Sequence, residues 1–178
     1  MRRALERLYA LCAGLAALFL AAIGVLTLAQ IGGRLAGLLV PLADEFAGFC
    51  LAAATFLALA PTLRAGGHVR VGLMLSRTRG RGRRLVEAWC LAVGAAVTGY
   101  FAWYSADMTW ESFQFGDVGQ GLVPTPLWIP QLGMTVGIAV LAVAFVDDLV
   151  RVVRGHGPSY AAADDGADAR DAASAERA

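Results

Sequence analysis

The chain has 178 residues, of which 58% are hydrophobic and 16% are charged, and its mean hydropathy is +0.60. This composition excludes an ordinary soluble domain, whose water-facing surface needs more charged side chains. The net charge of +1 gives no general attraction to nucleic acid. The three cysteines lie far apart in apolar stretches, so we expect neither a disulfide framework nor a zinc site.

Four long intervals without charged residues predict four membrane-spanning helices. Trimmed at glycine, proline and polar flanks, the predicted spans cover residues 8–29, 46–63, 88–106 and 127–146. At 1.5 Å per residue each span is about 27 to 33 Å long, which matches a hydrocarbon core of about 30 Å. We therefore expect an all-α integral membrane protein, with one four-helix transmembrane domain over residues 1–154.

The distribution of arginine predicts the orientation of these spans. Three arginines precede the first span, seven lie between the second and third, and Arg151 and Arg154 directly follow the fourth. The segment over residues 30–45 has one arginine, and the segment over residues 107–122 has none. The positive-inside rule then places both termini and the middle connection in the cytoplasm.

The two chain ends carry further expectations. The first apolar run could be a cleaved secretory signal, but it has about 22 residues against roughly 7 to 15 in a signal peptide, so we expect an uncleaved helix. Residues 155–178 are small, polar and of low complexity, and such a stretch cannot bury a core. They are expected to form a disordered cytoplasmic tail.

The spans lack the chemistry of several classes of membrane protein. They contain no charged residue, whereas ion-coupled transporters generally place such groups at membrane depth. Both histidines lie outside them, which argues against a haem-ligating subunit. The carboxylates of Asp107, Glu111 and Asp117 are expected in a solvated outer loop rather than as metal ligands. Because no nucleotide-binding, zinc or serine-hydrolase motif occurs, we expect neither an enzyme nor a bound cofactor.

Small residues recur at a four-residue spacing in two of the spans. Gly133 and Gly137 have this spacing in the fourth span, as do Ala13, Ala17 and Ala21 in the first. The spacing allows two helix backbones to approach closely. It fits either packing within the chain or contact with another protein, and the sequence leaves both open.

The connection between the second and third spans divides into two parts. Residues 63–76 predict an interfacial cytoplasmic segment that lies along the membrane, with Arg64, His68 and Arg70 directed to headgroups or a partner. The arginine-rich run over residues 77–84 is expected to bind anionic lipid. Nucleic acid is not expected there, because no aromatic residues are interleaved with the arginines.

Over residues 5–152 the chain resembles the small membrane subunit, of DctQ type, of tripartite ATP-independent periplasmic (TRAP) transporters. Glu45 stands where that family has an acidic residue before the second span, and residues 63–71 resemble its R-x-G-x-H element. The outer segment over residues 112–131 is similar to the family's Ser/Gly-rich stretch that leads into Ile-Pro-Leu-Trp. Gly72 departs from the pattern, since the family usually has Asp there.

The resemblance implies a function and a set of partners. In this family a periplasmic solute-binding protein delivers an organic solute, here expected to be a carboxylate, to a large permease that moves it with sodium. The small subunit would be a scaffold beside that permease in the bacterial inner membrane. The implied candidates for contacts with the permease or with headgroups are Glu45, Arg64, His68 and Arg70. The implied candidates for a surface that receives the binding protein are Asp117 and Trp128.

Two other functions stay open at this point. One is a self-contained four-helix transporter of the small multidrug type, although such proteins need a glutamate in the first span and this span has no acid. The other is an accessory subunit of a different membrane complex, such as a redox complex, whose haem would give the purified protein a visible spectrum.

Overall fold

The computed structural model describes residues 2–38, 42–65, 81–119, 121, 123–155 and 157. These residues form four α-helices, which we number α1 (Arg2–Leu35), α2 (Ala43–Arg64), α3 (Arg81–Phe115) and α4 (Trp128–Val153). In this part of the chain the one extended pairing is an antiparallel bridge between Val118 and Pro126. The expected all-α fold is therefore confirmed for the described residues.

The helices extend beyond the apolar segments from which they were predicted, most clearly at the end of α3. This helix continues to Phe115, so the expectation of a loop at Asp107 and Glu111 is wrong: both residues are exposed on its last turns. A charged side chain ends an apolar segment, but it does not end a helix. The helix ends where Gly116 adopts a φ of +67°, a left-handed conformation that favours glycine.

Three of the helices are long and apolar enough to cross a membrane, as judged by length and composition. They are α1 over Arg3–Leu35, α2 over Ala43–Arg64 and α3 over Arg84–Phe115. This supports a membrane protein and accounts for three of the predicted spans.

The helices pack side by side as a row, in the order α1, α2, α4, α3. Among the described residues, α2 and α4 pack against each other at the centre, α1 packs on α2, and α3 packs on α4. The remaining helix pairs touch only slightly. A row exposes more helix surface than a closed bundle does, because its two outer helices each have one packed neighbour.

Contacts between named side chains give the direction of each helix. The Arg64 guanidinium at the end of α2 lies over the Tyr9 ring near the start of α1. Phe113 near the end of α3 contacts Trp128 at the start of α4. Each outer helix is therefore antiparallel to the inner helix beside it.

The central helices, α2 and α4, run parallel and approach each other at two glycines. A Cβ atom on Gly133 would stand 3.0 Å from the Cβ atom of Ala53, and one on Gly137 would stand 2.8 Å from the backbone nitrogen of Leu57. The glycine pair thus packs within the chain. The three-alanine stripe of α1 is exposed and takes no part in this contact.

The buried core joins α1, α2 and α4. Its buried residues are Tyr9, Cys12, Ala16, Ala53, Leu57, Ala60, Leu63, Ile138, Val140, Leu141 and Ala144. The outer helices leave large apolar side chains uncovered, including Leu28 on α1 (70% exposed) and Trp103 on α3 (75% exposed). Lipid or another protein, rather than water, suits such surfaces.

Candidate functional site

Polar side chains gather at the tips of the helices, on the two opposite sides of the row where helices begin and end. The side that contains the start of α1 and the end of α4 is called the termini end. The opposite end contains the connections from α1 to α2 and from α3 to α4, and it is called the loop end.

The termini end contains a small pocket between α1, α2 and α4. Its volume is about 50 Å³, and its lining residues are Leu5, Glu6, Tyr9, Arg64, Asp147 and Arg151. The Arg64 guanidinium carbon lies 4.7 Å from the centre of the Tyr9 ring, which is cation–π geometry. The Tyr9 hydroxyl and Arg151 Nε are buried without a hydrogen-bond partner among the described residues. Two guanidinium groups, two carboxylates and a phenol therefore converge at this end.

Two further carboxylates near this end are buried, which the sequence analysis did not predict. Asp148 is 1% exposed on α4 and Glu87 is 9% exposed on α3, and each has an interaction partner. A signal for Asp148 was present, because it continues the buried helical spacing of Leu141 and Ala144. A carboxylate in that register points to a structural role inside the protein.

The loop end is organised by a short hairpin over residues 117–127, called the α3–α4 hairpin. The Gly119 amide donates to the Thr125 carbonyl over 2.8 Å, and the Leu127 amide donates to the Asp117 carbonyl over 3.0 Å. Residues 120 and 122 within it are not among the described residues. The hairpin carries the exposed Asp117.

Glu45 reaches this hairpin from the first turn of α2. Its half-buried carboxylate stands where the side chains of Gly119 and Gly121 would project. A Cβ atom on Gly119 would lie 3.2 Å from Oε1 of Glu45, and one on Gly121 would lie 2.6 Å from the same oxygen. The structure therefore brings together two regions, around Glu45 and Asp117, that the sequence analysis singled out separately.

Trp128 is half-buried between α3 and α4. Its ring meets the Phe113 ring edge-on, with centroids 5.7 Å apart. Both rings line an apolar groove of about 340 Å³ that also includes Trp110. Trp128 thus packs the hairpin end of α4 onto α3 and exposes only part of its ring.

Several predicted features lie outside the described residues. They are His68, Arg70, the interfacial segment from residue 66 onward, residues 77–80 of the arginine-rich run, and the predicted tail apart from Gly155 and Gly157. Of that run, the Arg84 side chain is described, and it lies 3.4 Å from the Gly155 carbonyl oxygen. Arg64 lies at the termini end and Glu45 at the loop end, so these two candidates do not share a site.

A hydroxyl network joins α3 and α4 within the row. Thr135 donates to the Ser105 carbonyl over 3.1 Å, and its hydroxyl lies 2.9 Å from that of Thr109. Thr109 also donates to the Ser105 carbonyl, over 2.7 Å. The network ties two helices together through one carbonyl, a kind of polar contact that also joins helices in membrane proteins.

Replacing Thr135 with valine should lower the free energy of unfolding by about 0.6 kcal/mol, the average for an interhelical hydrogen bond in a membrane protein. Thr55→Val is the matched control, because the Thr55 hydroxyl donates to the Leu51 carbonyl of its own helix. Thermal unfolding of both variants in one detergent makes the comparison. Equal losses in the two variants would contradict a helix-joining role for Thr135.

Among the described residues, no three His, Cys, Asp or Glu side chains are grouped to hold a metal ion.

The comparisons with known proteins point to transport. The family model described as tripartite ATP-independent periplasmic transporters, DctQ component, matches residues 23–155, which is most of the chain. No curated protein matches the chain, and no solved structure matches it.

Proposed function

The chain belongs to the DctQ components of tripartite ATP-independent periplasmic transporters, and we propose that it is the scaffold subunit beside the large permease of such a transporter. The transporter would take up an organic solute, a carboxylate by class, together with sodium. A periplasmic binding protein would deliver the solute, and the permease would carry both the solute and the coupling ion. This subunit would then perform no catalysis of its own.

The observation that carries the proposal is the placement of charge in the row of helices. Charged side chains lie toward the termini end and the loop end, and the four apolar segments between these two ends contain none. A protein that moves an ion by itself generally has ionisable groups at membrane depth. A scaffold needs what is present, namely apolar helix faces, small residues at close contacts and polar ends.

We further propose that all four helices cross the inner membrane. α4 is 26 residues long, or about 39 Å at 1.5 Å per residue, and it lies between α2 and α3. It meets α3 from Trp128, against Phe113, to Phe145, whose ring lies against Gly94. A helix that packs along two membrane-spanning helices over this length is expected to cross the membrane with them.

Both chain ends are proposed to lie in the cytoplasm. The start of α1 and the end of α4 share the termini end, where Glu6 and Arg151 line one pocket. Arg64 of α2 and Arg84 of α3 both lie at this end, the sequence that joins them is rich in arginine, and arginine-rich connections remain in the cytoplasm. The arginine-rich run would bind anionic lipid there.

The partners are assigned to different surfaces. The large permease would cover part of the exposed apolar faces of the outer helices, and Arg64 and its pocket would orient the complex at the cytoplasmic headgroups. The periplasmic binding protein would approach the loop end, where the exposed Asp117 stands on the α3–α4 hairpin.

Uptake into proteoliposomes tests the proposed function. Vesicles that contain the permease and this chain should accumulate a radiolabelled organic carboxylate when the loaded binding protein and an inward sodium gradient are supplied. Omission of this chain should reduce uptake to the background of empty vesicles. Full uptake without it would overturn the scaffold role, and uptake by this chain alone would support a self-contained transporter instead.

A further inference from the structure

We propose that Glu45 is a positioning residue: its carboxylate holds the α3–α4 hairpin against the first turn of α2 and so fixes the surface offered to the binding protein. The part of this inference that concerns the binding protein rests on the proposed function. The part that concerns the hairpin is a statement about this chain alone.

The contact depends on space at two glycines. Gly119 and Gly121 present bare backbone to the Glu45 carboxylate, and a Cβ atom on Gly121 would also stand 2.5 Å from the carboxylate carbon. Among the described residues, the glycines with positive φ are Gly37, Gly116 and Gly155. The obstacle to a methyl group at Gly121 is therefore the Glu45 carboxylate, the end of a flexible side chain that would have to move aside.

The hairpin needs a contact of this kind, because its own pairing is short. Among the described residues, two hydrogen bonds of 2.8 Å and 3.0 Å join the two sides of the hairpin, and two-stranded hairpins of this size are marginally stable by themselves. It also begins directly after Gly116, which breaks α3. A contact with α2 is therefore the means by which the hairpin acquires a fixed position.

Glu45 is well placed to provide the contact. It lies in the first turn of α2 together with Asp44, where a carboxylate interacts favourably with the positive end of the helix dipole. The two differ in surroundings, because Glu45 is half-buried against the hairpin and Asp44 is exposed. Asp44 is consequently a matched control that has the same charge and the same position relative to the dipole.

Hydrogen exchange of the purified full chain in nanodiscs tests the contact. Glu45→Ala should speed exchange in peptides that cover the hairpin by about tenfold, because local opening becomes easier. Asp44→Ala should leave these peptides unchanged. If exchange in Glu45→Ala equals that in Asp44→Ala, the positioning role of Glu45 is overturned.

A double-mutant cycle then isolates the pair. Gly121→Ala alone should also speed hairpin exchange, since its methyl group displaces the carboxylate. In Glu45→Ala/Gly121→Ala the exchange should match that of Glu45→Ala, because the obstruction is gone. Gly116→Ala is the contrasting case, because its strain comes from the positive φ of the backbone rather than from Glu45. The increases in exchange rate caused by Gly116→Ala and by Glu45→Ala should therefore multiply in the double variant. Multiplying effects for Gly121→Ala and Glu45→Ala would contradict the proposed contact.

Transport kinetics test the consequence for docking. In reconstituted transporter, Glu45→Ala should raise the KM for loaded binding protein by about fivefold and preserve the maximal rate, as expected for a coupling confined to binding. Asp44→Ala should leave both parameters unchanged. An unchanged KM in Glu45→Ala, with hairpin exchange raised, would overturn the docking role. Failure of the wild-type transporter to take up solute would instead count against the proposed function, and the exchange data would still decide the contact.

Discussion

Gly137→Ala is expected to lower the free energy of unfolding by about 3 kcal/mol, the upper part of the usual range for overpacking. A Cβ atom at this position meets backbone atoms of Phe56 and Leu57 rather than a movable side chain. Relief therefore requires separation of α2 from α4, the two central helices of the row. Thermal or denaturant unfolding of the purified protein in detergent measures the loss.

Gly99→Ala is the matched control for this prediction. Gly99 lies within α3, and a Cβ atom there meets nothing within 4 Å, so the Gly99→Ala variant should be as stable as the wild type or gain up to about 1 kcal/mol from the helix propensity of alanine. A comparable loss in both variants would show that the destabilisation comes from the alanine itself. A Gly137→Ala protein as stable as the wild type would contradict the close contact between α2 and α4.

Asp148→Ala is expected to cost about 3 kcal/mol of stability, because removal of one member of a buried polar interaction leaves its partner uncompensated. The Asp148 side chain is 1% exposed and has an interaction partner. Asp148→Asn keeps the size and an acceptor oxygen, and it should recover part of the loss. Unfolding in the same detergent gives both values.

The preceding residue provides the control for Asp148. Asp147 is partly exposed and lines the pocket at the termini end, so Asp147→Ala should cost no more than about 1 kcal/mol. Equal losses for the two aspartates would mean that charge near the end of α4 matters and burial does not. That result would remove the structural role assigned to Asp148.

The helices could be predicted from the sequence because apolar intervals of membrane length have few other structures available. Their ends could not, since a membrane boundary and a helix boundary obey different rules. Asp107 and Glu111 leave the apolar segment while α3 continues to Phe115, and Gly116 then ends it through its backbone conformation. Local glycine geometry, rather than hydropathy, decides that boundary.

The order of the helices in the row could not be predicted from the sequence. Small residues are spread over several helix faces, and the spacing of Gly133 and Gly137 is shared by the alanine stripe of α1. The structure uses the glycines for contact with α2 and leaves the alanines exposed. Spacing alone does not reveal which of two suitable faces finds a partner inside the chain.

The candidate site was predicted in part. The resemblance to the DctQ type is confirmed by the family match over residues 23–155, and it singled out both Glu45 and Asp117, which lies on the hairpin that Glu45 contacts. The resemblance treated Glu45 as a contact for a partner or headgroup, and its position against Gly119 and Gly121 depends on how a distant loop folds back. The order of residues in the sequence does not show that this loop folds back onto the start of α2.

Affinity purification of the tagged chain from native membranes, in mild detergent and with mass spectrometry of the recovered proteins, tests the scaffold assignment most directly. The assignment predicts stoichiometric recovery of a large multi-span permease, which would also identify the transporter whose solute should be measured. Recovery of this chain alone, as a stable homodimer in several detergents, would contradict it and favour a self-contained transporter.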